Sequence, residues 1–113
     1  SHNEKYKEYV IGVNWRHKTN QAHKDVIALH EWLEEKDIKH VFFNGNNTFS
    51  QINTKYDFGN AYIEPYNKGF SYNDHLLANG SHTVSPNSYH FGEDGHTTWS
   101  KYLLKYIVKN NLI

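Results

Sequence analysis

Residues 44–95 carry no sustained hydrophobic period, and that stretch limits the fold more than any other feature of the sequence. Its signals are turns and short pieces: a polar run with isolated aromatics over 46–59, a brief extended segment over 61–63 before Pro65, and two turns of helix over 72–79 stopped by Gly80. Irregular segments of this length inside a small domain usually form binding or active-site loops, or are disordered. The patterned parts, 8–43 and 96–113, flank it.

A chain of 113 residues is one small domain. Only 37% of it is hydrophobic and 16% is aromatic, so rings must supply much of the core. Twelve basic side chains balance twelve acidic ones, which leaves no net field to attract nucleic acid. No apolar run approaches the roughly 20 residues of a membrane helix, so a soluble chain is expected, with its compartment open. The absence of cysteine excludes disulfides, thiolate zinc sites and cysteine catalysis. The absence of methionine makes Ser1-His2 read as a processing or tag remnant and the chain as a piece of a longer product.

Along the patterned parts, Tyr9, Val10, Ile11, Gly12 and Val13 form a compact apolar run that predicts a strand over 8–14. Ala22, Val26, Leu29 and Leu33 recur at helical spacing and predict a helix over 21–36, with Asn20 as its N-cap. A second β-rich run predicts a strand over 38–43, broken by Asn44-Gly45. Trp99, Leu103, Tyr106 and Ile107 share one face of a closing helix over 97–109. Strand, helix and strand in this order favour parallel pairing with a right-handed crossover, so the expected fold is a three-layer α/β domain with a short parallel sheet.

Two constellations could carry chemistry. Gly12, Asn14, Trp15 and Arg16 would leave the end of the first strand, where open α/β sheets bind ligands, with Arg16 able to clamp an anionic group. The segment from His90 to His96 places Glu93 and Asp94 just before a histidine at the start of a helix, the composition of a general base with an orienting acid. His82, His90, Asp94 and His96 also lie close in sequence, but His90 and His96 match no standard metal spacing, so no metal or other cofactor is expected.

Together these residues resemble the later sequence blocks of the SGNH (GDSL-type) hydrolases, which read Gly-x-Asn-Asp after a strand and Asp-x-x-His before the last helix. Gly12 and Asn14 match the first, with Trp15 in place of its Asp; Glu93 and His96 match the second, with Glu in place of Asp. The resemblance covers about the last two-thirds of such a domain and implies an SGNH or flavodoxin-like fold, truncated at its N-terminus. It implies Asn14 and Gly12 at the oxyanion hole, His96 as base, Glu93 or Asp94 as its partner, and Trp15, Arg16 and His90 contacting a small-molecule or glycan ester. No serine stands in Gly-Asp-Ser context, so the nucleophile would lie upstream and the chain alone would be inactive. A truncated sheet would expose an apolar edge over 8–14 and favour self-association.

Two other functions stay open. Phe49, Tyr56, Phe58, Tyr62, Tyr66, Phe70, Tyr72 and Tyr89, threaded among many Asn, suit a carbohydrate- or protein-binding module without chemistry. A histidine-rich divalent-metal site is the third.

Overall fold

The computed structural model describes residues 2–88 and 90–112; Ser1, Tyr89 and Ile113 lie outside it, as do the side chains of residues 2, 6 and 8–13. Three α-helices carry the described chain: α1 (His2–Glu35), α2 (Tyr72–Ala78) and α3 (Glu93–Lys109), with a 3-10 turn at Gly59–Ala61.

Residues 2–35 contain no proline and a single glycine, so nothing interrupts helical hydrogen bonding for 34 residues. At 1.5 Å per residue α1 is about 51 Å long, and it sets the 54 Å long axis of the molecule. Its end is a Schellman turn. Ile38 N–H donates to Leu33 C=O at 2.9 Å and Asp37 N–H to Glu34 C=O at 3.0 Å, with Asp37 in the left-handed region at φ 57°.

The strand expected over 8–14 is therefore helix. A five-residue apolar run suits a buried strand or a helix equally, and flanking structure arbitrates between them. A strand there would need a neighbour to take its N–H and C=O groups, whereas a helix satisfies them within itself. The neighbour expected over 38–43 does not form either. That segment is extended, but its backbone meets the later chain at one point: Phe42 pairs with Tyr62 in an isolated parallel bridge, with Phe42 N–H donating to Ala61 C=O and Ile63 N–H to Phe42 C=O. A second isolated bridge, antiparallel, joins Thr83 and Phe91. Among the described residues there is no sheet, which corrects the three-layer α/β architecture, the parallel sheet and crossover, and the SGNH or flavodoxin-like hydrolase description built on them. No sheet edge exists over 8–14 for another chain to pair with.

The stripe along α1 is also rotated from the expected one. His23 and His30 are buried and Val26 and Ile27 half-buried, while Ala22 and Leu29 face outward. Two histidines occupy the seam that aliphatic periodicity assigned to Ala22 and Leu29, because the facing surface offers them polar ring partners.

That surface is the irregular middle of the chain. Phe58, Tyr62 and Tyr66 form one buried cluster, joined by Val26, Ile27, Phe42, Phe49 and Tyr56. Ile63, Leu76, Phe91 and Trp99 form a second, which packs α2 against α3 with Phe70, Tyr72, Tyr102 and Tyr106 around it. Rings thus dominate both clusters. Asn44 ties the loops together from inside: its amide donates to the carbonyls of Tyr66 at 2.8 Å and Phe70 at 3.1 Å, and its oxygen accepts from the Tyr62 hydroxyl at 2.6 Å.

Helix α2 starts on Ser71, a fully buried N-cap whose hydroxyl accepts from Asp74 N–H at 3.0 Å. It stops in a second Schellman-type turn through Gly80 at φ 84°. Helix α3 begins a turn earlier than expected, at Glu93, where Glu93 and Asp94 suit the positive end of the helix dipole.

Candidate metal centre

The last turn and a half of α1 and the chain just after it bring three ligand-type side chains together. His30 and Glu34 are four residues apart and so share one face of the helix. The Schellman turn at Asp37 then reverses the chain and returns His40 to that face. One ligand atom from each of His30, Glu34 and His40 lies within 4.8 Å of the other two.

The rings are held, not loosely placed. His40 Nδ1 lies 2.7 Å from the Ile38 carbonyl. A carbonyl only accepts, so Nδ1 carries the proton and Nε2 presents its lone pair. That lone pair faces His30 Nδ1 at 2.7 Å, with Glu34 Oε1 3.9 Å from the same His40 nitrogen. Fixing one ring nitrogen on a backbone carbonyl so that the other points at a common spot is how metal-binding histidines are oriented. His30 is 7% exposed and sits edge-on to Phe58, Tyr56 and Phe42. Burial, and then the adjacent His40, hold its pKa below the ordinary imidazole value against a smaller opposing pull from Glu34 and Glu31. The ring is neutral at pH 7, and because its Nδ1 faces a lone pair, that nitrogen carries the ring proton, which shifts to Nε2 when an ion takes its place.

With metal–nitrogen bonds of about 2.0–2.1 Å, two ligating nitrogens stand roughly 3.0–3.4 Å apart. The two imidazoles must open by about half an ångström to admit an ion, and the exposed Glu34 carboxylate must swing in; both are side-chain adjustments. The site borders a cleft of about 510 Å³ whose walls also include Asp37, Asp57, Asn60 and Asn110. Two histidines and one carboxylate next to an open cleft leave coordination positions for water or a ligand, the arrangement of metal sites that do chemistry.

The residues singled out from the sequence lie elsewhere. Gly12, Asn14, Trp15 and Arg16 fall within α1, with Asn14, Trp15 and Arg16 exposed. Glu93, Asp94 and His96 are exposed at the start of α3, and His90 is exposed just before it. The His96 ring meets the Tyr72 hydroxyl at 3.4 Å, and among the described residues no hydrogen bond or ion pair joins it to Glu93, Asp94 or Asn14. Asn14 sits on a helix instead of at a strand end, so the geometry lends the esterase reading no support. His82, His90, Asp94 and His96 do not converge as ligands; among the described residues His30, Glu34 and His40 alone do. Their sequence signal is a His-x-x-x-Glu pair near the end of α1 with a histidine six residues later, beside but outside the aliphatic periodicity of that helix.

No protein-family model, no curated protein and no solved structure matches the chain.

Proposed function

We propose that the protein binds one divalent transition-metal ion through His30 Nδ1, His40 Nε2 and the Glu34 carboxylate, keeping coordination positions open toward the adjoining cleft. The observation that carries this reading is the pair of facing ring nitrogens, 2.7 Å apart, with the far side of His40 anchored on the Ile38 carbonyl. Zinc suits a site of two imidazoles and a carboxylate, and open positions let a bound ion polarise a ligand or a water. The cleft beside it gives such a ligand room and polar walls.

Cobalt(II) titration at neutral pH tests this, because its visible bands report both stoichiometry and coordination number. Stoichiometric binding with bands that shift on adding thiocyanate is expected. His30→Ala and His40→Ala should each weaken binding by more than about 100-fold, since second-sphere contacts alone are commonly worth 10- to 100-fold. Failure of the parent to bind stoichiometrically, or parent-like affinity in both variants, refutes the site; bands unmoved by thiocyanate refute its openness.

A further inference from the structure

On the side of α1 away from its C-terminal turn, Trp15 is 49% exposed and forms the shared wall of two neighbouring clefts of about 270 and 280 Å³. Both clefts also include Asn47 and Thr48, and neither shares a lining residue with the metal cleft.

The loop opposite Trp15 is fixed at intervals. The Asn44 and Gly45 carbonyls accept from Tyr72 and Asn73 N–H, Phe49 N–H donates to the Tyr66 carbonyl, and Ile52 N–H donates to that of Phe49. The Asn44 side chain anchors the same loop from inside through the Tyr66 and Phe70 carbonyls and the Tyr62 hydroxyl. Between these anchors Asn46, Asn47, Thr48, Ser50 and Gln51 make no side-chain hydrogen bond among the described residues. Five spare amide and hydroxyl groups on a held loop, facing a half-exposed indole, have donors and acceptors ready without loop ordering on binding.

We infer that this surface is a binding site for a neutral oligosaccharide, with Trp15 as the stacking platform and the Asn47 and Gln51 amides as hydrogen-bond partners for hydroxyls. Trp presents a large apolar face that suits the C–H side of a pyranose ring, and amides both donate and accept, as hydroxyls do. Each cleft falls just below the usual 300–1,000 Å³ range of ligand pockets, which suits one sugar ring per cleft, with the chain crossing Trp15 between them. Lys18 and Asp74 line the two clefts, one charge of each sign, so no field selects an ionic ligand. A stacked nucleobase would bring a phosphate, and a single lysine with a nearby aspartate is a poor partner for one.

The test uses the whole chain with EDTA present, so that its outcome is independent of the metal reading. Hexasaccharides of β-glucose, β-xylose, β-mannose, α-glucose and N-acetylglucosamine are titrated at millimolar concentrations while the indole N–H signals of the three tryptophans are followed by NMR. At least one hexasaccharide should shift the Trp15 signal. Measured for the variants by isothermal titration calorimetry, Trp15→Ala and Asn47→Ala should each weaken that binding by at least about tenfold, equivalent to about 1.4 kcal/mol, with far-UV circular dichroism unchanged. Trp32→Ala, which removes an exposed tryptophan outside both clefts, should leave it intact. The proposal is overturned if none of the five shifts Trp15, if both site variants bind as the parent does, or if Trp32→Ala loses binding equally.

Discussion

Replacing Gly95 by alanine sets two physical effects against each other, and the structure decides the sign. Gly95 lies in the first turn of α3 and is buried. An added methyl would sit 2.7 Å from Phe91 Cβ and 3.3 Å from Phe91 Cγ and Cδ1. The contact is with the stem of a side chain that is itself 4% exposed and packed in the core, so Phe91 cannot rotate away cheaply. Helix propensity argues the other way, favouring alanine over glycine by about 1 kcal/mol. Overpacking a filled core costs about 1–3 kcal/mol, and a carbon pair this close belongs in the upper part of that range. The net expectation is a loss of about 1–2 kcal/mol. With a urea m-value of roughly 1.5 kcal/mol/M for a chain of this size, the midpoint falls by about 1 M. Gly92→Ala is the companion measurement, because its methyl would meet only Asp94 Oδ1 at 3.4 Å, an ordinary contact; its midpoint should move less than half as far. An unchanged or higher midpoint for Gly95→Ala would refute the claim that Phe91 and α3 interlock there.

The hydroxyl of the fully buried Tyr66 takes the Tyr56 N–H at 2.7 Å and faces His23 Nε2 at 3.0 Å. Tyr66→Phe strands both partners and should cost about 2–4 kcal/mol in thermal or urea unfolding; a loss under about 0.5 kcal/mol would show that they find other partners. A third expectation concerns pH. Burial lowers the pKa of His23, set between Phe49 and Tyr66, and of His75, set among Phe70, Trp99 and Tyr102. Both are neutral in the fold while the unfolded chain takes up protons near 6.5, so their contribution is full above that pH and is lost as pH falls below it. Urea midpoints measured at pH 7.5 and 5.0 should drop on acidification, and less steeply in His23→Gln; a flat profile would contradict the burial of these rings.

What could be read from the sequence was local. The closing helix is visible because Trp99, Leu103 and Tyr106 repeat at helical spacing with lysines between them, and the ring-built core follows from having so few aliphatics. The run from Tyr9 to Val13 reads equally as strand or helix, because its alternatives differ only in what pairs with it, which is settled by chain far away. The inward face of α1 was displaced by one position for a related reason. Hydrophobic scales put Ala22 and Leu29 inside, yet a histidine whose nitrogens are bonded buries well, and His23 and His30 find Tyr66 and His40. The candidate metal centre is not legible in that stripe, since His30 and Glu34 each lie one position beyond Leu29 and Leu33, and His40 joins them only through the turn at Asp37. The sequence marks Trp15 as a place for substrate but puts it at a strand end; its loop partners over 46–51 come together only through the backbone anchors at Asn44, Gly45 and Phe49.

The turn at Asp37 keeps the three ligand residues within residues 30–40, so the centre has a very low contact order. Closing a loop of about ten residues takes tens of nanoseconds, far faster than bringing Phe58 or Tyr66 back across the helix. His30, Glu34 and His40 can therefore meet while the rest of the chain is still unstructured, and an ion captured then would clamp the end of α1 as a folding nucleus. The aromatic clusters would condense onto a helix end already tied, and metal would change how fast the protein folds as well as how stable it becomes.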